Sequence, residues 1–135
     1  MKRLFLDTNI LVDYIQNRQG GYDAKQLLMR GYNHEVNLCA SILTFANIAY
    51  ILKNKVDIYE LMDTLTSFIE VLPMDGKQLE RALKIHVRDF EDMLQYQCAL
   101  EGHCDSMITN NKKDFIGYCN LPLYTAAEFL NKYFM

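Results

Sequence analysis

Arg3-Leu4-Phe5-Leu6-Asp7-Thr8-Asn9-Ile10-Leu11-Val12-Asp13-Tyr14-Ile15 is the stretch on which the reading of the whole chain turns. Residues 3–6 form a short apolar run that suits a buried strand. It stops at three polar residues, after which Ile10, Leu11, Tyr14 and Ile15 recur at helical spacing. Strand, polar corner and helix follow one another without a linker, which is the first half of a βα unit.

The same order continues outward from there. A second helix is predicted over about 22–30, with Ala24, Leu27 and Leu28 on one face and Gly31 as its stop. Residues 36–40 read as a second strand. Ser41 stands where an N-cap belongs, ahead of a helix carrying Ile42, Phe45, Ile48, Ala49 and Leu52. Asp57 opens another helix through Leu61, Leu65 and Phe68, and residues 68–73 form a β-rich third strand closed by Pro73. Helices are expected over about 76–87 and 90–101, the second ended by Gly102. A fourth strand is expected over 104–109, then a polar loop through Asp114, a short edge strand over 121–124, and a last helix capped by Thr125. Alternation of this kind predicts the α/β class, with a mostly parallel sheet of about five strands in a three-layer α/β/α sandwich. Function is expected at the carboxyl ends of the strands.

Composition limits what such a fold can do. With 135 residues the chain is expected to be one domain across 1–135; half of the residues are hydrophobic and only six are glycine and two proline, which excludes a disordered or fibrous chain. Fourteen basic against 17 acidic residues give a net charge of −3, so any polyanion must be held by local cations or by a metal ion. Cys39, Cys98, Cys104 and Cys119 contain no C-x-x-C and read as reduced core thiols. No apolar run approaches the ~20 residues of a membrane span. The cytoplasm, without membrane association, is the expected location.

Three acid-bearing segments should meet at one end of the sheet. Asp7 closes strand one, where it serves either as a helix cap or as a site residue. Asp89 and Asp92 lie three apart on one helix face; Asp89 reads as a cap, Glu91 as a complement to the helix dipole, and Asp92 as able to face Asp7. Asn111 and Asp114 follow strand four, either in a solvated turn or at the same rim. Two carboxylates ~4 Å apart repel by ~4 kcal/mol at an effective dielectric near 20, so such a cluster needs a proton or a cation. Oxygen ligands alone select a hard ion, Mg²⁺ or Mn²⁺. Thr8, Asn9, Ser41 and Thr44 are polar neighbours of the rim with capping as their alternative role. Lys112 and Lys113, beside Asn111, could hold a phosphate there, and Arg30, Lys53 and Lys55 could line the same rim. His34, His86 and His103 are too scattered to form a metal or acid–base pair. Tyr14 and Tyr50 fall on apolar helical faces and are expected in the core or an interface.

Leu-Phe-Leu-Asp-Thr-Asn-Ile-Leu-Val-Asp at 4–13, Ser-Ile-Leu-Thr at 41–44, Asp-Phe-Glu-Asp-Met-Leu-Gln-Tyr at 89–96 and Met-Ile-Thr-Asn-Asn-Lys-Lys-Asp-Phe at 107–115 together resemble the successive motifs of PIN domains. The resemblance spans nearly the whole chain. It implies a metal-dependent endoribonuclease similar to the toxins of bacterial toxin–antitoxin pairs, with RNA as substrate, an antitoxin protein as partner, and a homodimer. It also implies a quartet at Asp7, Asn47, Asp92 and Asn111, with Asp114 adjoining and Thr8, Asn9, Ser41 and Asp89 behind or beside it. Asn47 stands where the family usually has Glu, and Asn111 is also an amide, so only two of the four inner positions are anionic. A catalytically weak module that binds RNA or a protein is the alternative reading.

Overall fold

The computed structural model describes residues 1–134. Five parallel strands, β1 (Arg3–Leu6), β2 (Asn37–Ser41), β3 (Ile69–Leu72), β4 (Ser106–Ile108) and β5 (Leu123–Tyr124), form one sheet in the order β3-β2-β1-β4-β5. Seven helices connect or follow them: α1 (Thr8–Ile15), α2 (Gly21–Tyr32), α3 (Ile42–Leu52), α4 (Ile58–Thr66), α5 (Gly76–Leu83), α6 (Phe90–Glu101) and α7 (Ala126–Phe134). Side-chain alternation along β1 divides the core. Leu4 and Leu6 face one layer with Ile10, Leu27, Ile48, Leu65 and Phe129, from α1, α2, α3, α4 and α7. Phe5 faces the other with Ala82, Met93 and Ala99 from α5 and α6, joined by Phe115. The expected three-layer α/β/α sandwich is therefore what this sequence forms.

Strand order reverses between β1 and β4: the chain builds outward from β1 through β2 to β3, then crosses back to add β4 and β5 on the other side. The carboxyl ends of β1 and β4 consequently border a crevice, the usual place for a ligand in an open α/β sheet. Asp7 N–H bonds Ile108 O at 3.0 Å and ties the two ends together.

Several boundaries differ from the sequence expectation. Gly31 lies inside α2 rather than stopping it, because a Cβ there would fall 2.3 Å from Leu38 Cδ1; the glycine lets α2 settle on β2. Phe68 lies beyond α4, and α5 ends at Leu83, well before 87. Tyr14 and Tyr50 are exposed, Tyr50 by 74%. Among the four free thiols Cys39, Cys98 and Cys104 are buried and Cys119 half-buried, and desolvation pushes Cys98 up to about 12. Among the described residues no helix is long and apolar enough to cross a membrane.

Candidate active site

Asp7 is carried to the crevice by β1 and held there by two donors. Thr8 N–H donates to Oδ1 at 2.9 Å and the Thr109 hydroxyl to Oδ2 at 2.9 Å, while Asn111 N–H donates to the Thr109 oxygen at 3.0 Å. The loop after β4 is thereby keyed to the carboxylate that ends β1. Asp7 is only 7% exposed. Its pKa is pushed up to about 6, chiefly by desolvation, against the lowering effect of its donors and with Glu91 and Asp114 adding to the rise.

Asp89 caps α6 by accepting from Asp92 N–H, as its sequence position implied, and Asp92 then projects from the first turn. Desolvation and the negative field of Asp89, Asp7, Asp114 and Glu91 push Asp92 up to about 7. Both acids thus retain protons to a higher pH than ordinary aspartates, Asp92 up to neutrality and Asp7 to about a unit below it. A cavity of about 350 Å³ is lined by Asp7, Asn9, Asn47, Asp89, Glu91, Asp92, Asn111 and Asp114, with Thr8, Tyr50 and Ile51 completing its wall. Five carboxylates and three amides face it, and no lysine or arginine does. A cavity of similar size beside α1, α2 and α7 has only Asp13 and Asp23, and Asp13 already accepts from Asn110 Nδ2 at 2.7 Å.

Behind the acids lies a buried polar knot. The Ser41 hydroxyl caps α3 by accepting from Thr44 N–H at 3.1 Å and donates to Gln95 Oε1 at 2.7 Å; Gln95 Nε2 donates to the Thr44 hydroxyl at 3.1 Å, which also pairs with that of Thr8 at 2.9 Å. These bonds lock α1, α3 and α6 at the rim, one helical turn below Glu91. Ser41 and Thr8 therefore act within the wall. Lys112 is held away from the acids, its Nζ bonding both oxygens of Glu128 at 2.9 and 3.0 Å. Lys113 instead lines an adjoining cavity of about 780 Å³ with Arg88, Asp89, Asn111, Asp114 and Tyr118. Lys53 lies over the Tyr50 ring, 5.0 Å from its centroid, whereas Arg30 pairs with Glu35 and stacks on Phe134. None of the three histidines lines either cavity.

Gln95 and Tyr118 carry no sequence signal as site residues, whereas Glu91 reads only as a complement to the helix dipole and Thr109 only as part of the motif at 107–115. The Tyr118 hydroxyl is buried without a hydrogen-bond partner and is raised by desolvation and by Asp92. Only the spacing 91–95, one turn along α6, hinted that Glu91 and Gln95 share a face.

The donor set suits a hard divalent cation: oxygen atoms only, an excess of negative charge, and two carboxyls whose raised pKa values fall when a cation binds. Among the described residues no three Asp, Glu, His or Cys side chains converge into a ready-made cage. An ion such as Mg²⁺, which keeps several of its waters, does not require one.

Comparison with known proteins places this geometry in context. A family model described as PIN domain matches residues 3–113. Ribonuclease VapC1 of Aquifex aeolicus (strain VF5) is 21% identical over 141 residues, covering 98% of this chain and 96% of the relative. VapBC2 from Rickettsia felis, solved bound to a DNA fragment from its promoter, superposes with a TM-score of 0.66 at 20% identity, over 91% of this chain and 98% of that one. A toxin–antitoxin complex from Klebsiella pneumoniae gives 0.67 at 22% identity, over 91% and 97%.

Proposed function

This chain belongs to the PIN domain family, and on that premise we propose that it is a Mg²⁺- or Mn²⁺-dependent endoribonuclease acting as the toxin of a toxin–antitoxin pair. The observation that carries the reading is the meeting of Asp7, Asp92 and Asp114 at the sheet's switch point, in a cavity that no cationic side chain enters. Asp7 and Asp92 would hold the metal, with Asn111, Asp114 and Asn47 completing the set. When bound, such an ion lowers the pKa of a water nucleophile and neutralises charge developing on the scissile phosphate.

The chain's own groups do the rest. Thr109 and the Thr8 amide fix the rotamer of Asp7 and keep its oxygens ready to ligate. Asp89 and Asp114 lend negative field that draws a cation to the site and, without one, holds a proton on Asp92. Arg88 and Lys113, at the adjoining cavity, supply the local positive charge for the RNA backbone that the whole chain lacks. Tyr50, exposed beside the acids, offers a face on which a base can stack.

The antitoxin reading draws on the printed identities of the R. felis and K. pneumoniae complexes. Exposed Val56 and Tyr59, with Ile42 and Tyr50 nearby in sequence, give a partner or a second copy of this chain apolar surface to cover. Free thiols and the absence of a membrane-crossing helix among the described residues support a cytoplasmic location.

The test is incubation of purified protein with single-stranded RNA, with Mn²⁺ or with EDTA, followed by end analysis. Attack by water leaves a 5′-phosphate and a 3′-hydroxyl and is abolished by EDTA and by Asp7→Asn. Cyclic phosphate ends formed in EDTA would mean attack by the RNA's own 2′-hydroxyl and would overturn the metal reading. RNA binding with no cutting in Mn²⁺ would instead support the binding module, which the amides at Asn47 and Asn111 keep in play.

A further inference from the structure

Asn47, on α3, and Glu91, on the first turn of α6, lie 44 positions apart in sequence and meet at the rim of the acidic cavity. Asn47 Nδ2 donates to Glu91 Oε1 at 2.6 Å. A hydrogen bond to an ionised acceptor is short and directional, and this one spans from one helical layer to the other, across the end of the sheet. Glu91 has no cation to neutralise it: the ion pairs among the described residues are Arg3–Glu70, Arg30–Glu35, Arg81–Glu101 and Lys112–Glu128. Its carboxylate nevertheless lines the same cavity as Asp7 and Asp92. An exposed glutamate in a first helical turn ordinarily turns to solvent, where the helix N-terminus is its only partner. Here an amide, itself half-buried in the cavity wall, holds the carboxylate over the site.

We propose that Glu91 is a metal-shell carboxylate of this cavity and that Asn47 is its positioning residue, so that the pair supplies from α6 the anionic charge which the amide on α3 cannot supply itself. The inference rests on the metal-dependent reading above and extends it. Charge count gives the physical reason. Asp7 and Asp92 together just neutralise a divalent ion, with Asp114 beside them; Glu91 adds a further anion that Asn47 holds at the rim, which strengthens binding of a hard cation. Asn47 fixes the rotamer as the partner of a ligating carboxylate does, and removing such partners costs roughly 10–100-fold in metal affinity.

Calorimetric titration of metal-free protein with Mn²⁺, alongside a thermal melt of each variant in EDTA, tests this without reference to RNA cutting. Glu91→Gln should weaken Mn²⁺ binding roughly 10–100-fold, and Asn47→Ala roughly 10-fold. Asn47→Glu/Glu91→Gln, which exchanges carboxylate and amide across the same contact, should return the affinity to within about threefold of wild type, that is within roughly 0.7 kcal/mol. A merely structural clasp between α3 and α6 would lower the melting temperature in EDTA and leave Mn²⁺ affinity unchanged, and that result overturns the proposal. So does failure of the exchange variant to recover while it melts like wild type. If wild type binds no Mn²⁺ at all, the metal reading falls together with this one; if Asp92→Asn loses binding and Glu91→Gln keeps it, only the role of Glu91 falls.

Discussion

At the residue scale, the chemistry is set by two aspartates that resist ionisation. Asp7 and Asp92 have pKa values of about 6 and about 7 against an ordinary 3.8, so the folded protein binds protons that the unfolded chain has released. Their contribution to stability is full below about pH 4 and is lost as pH rises through 6–7. Metal-free protein should therefore melt at a higher temperature at pH 5 than at pH 8, by an amount on the order of 1–3 kcal/mol for buried Asp7. Asp7→Asn and Asp92→Asn should each flatten part of that slope, and a wild-type midpoint in EDTA that does not change from pH 5 to 8 would show the carboxyls to be solvated. Excess Mn²⁺ should reverse the trend, because the ligating carboxylates must be ionised. At pH 8 a hundredfold excess over Kd adds roughly 2.7 kcal/mol; the rise in midpoint should be much smaller in Asp92→Asn, and equal shifts would put the ion elsewhere.

Elements show why glycine is an ambiguous signal. Gly31 and Gly102 both read as helix stops, and neither takes the left-handed conformation that makes glycine a stop. Gly102 is the C-cap of α6 with φ −77°, and the residue that turns left-handed is His103, at φ 57°. What excludes a side chain at 102 is Leu72, whose Cδ1 would sit 2.6 Å from a Cβ. Gly102→Ala should cost about 1–3 kcal/mol by overpacking, while His103→Gly should stabilise by up to about 1 kcal/mol by removing the strained φ; denaturant melts that ranked the two the other way would refute the assignment. Caps were easier to read. Ser41, Asp57 and Asp89 accept from backbone N–H groups in the first turns they precede, Thr125 and Glu128 cap α7 reciprocally, and Asp75, which the sequence reading passes over, caps α5 in the same way. Capping is local and leaves its mark in a few adjacent residues. Ser41→Ala should cost more than an ordinary cap, about 2–3 kcal/mol, because it also strands the buried Gln95 Oε1.

Over the whole molecule, a net charge of −3 and an acidic cavity leave few cations for RNA. Arg88 and Lys113 line the adjoining cavity, and Lys53 lies over the Tyr50 ring at the wall of the acidic one. Each phosphate neutralised contributes about −0.7 to the slope of log K against log salt for a single strand, so binding in EDTA should be weak, with a slope no steeper than about −2. Fluorescence anisotropy over a salt series measures it, and a slope beyond about −4 would reveal a basic track elsewhere. The sequence by itself determined the alternation of strands and helices, the layer architecture and the arrival of Asp7, Asp92, Asn111 and Asp114 at one end of the sheet. Each of these follows from periodicity, caps and the rule that sequential βα units build a parallel sheet. Tertiary structure alone decided which neighbours those acids have. That Asn47 meets Glu91, that Gln95 knots Ser41 to Thr44, and that Lys112 is drawn off by Glu128 all depend on contacts between distant residues, 16 to 54 positions apart. Local pattern records where a side chain leaves its own helix or strand; what it meets is settled by how the layers pack.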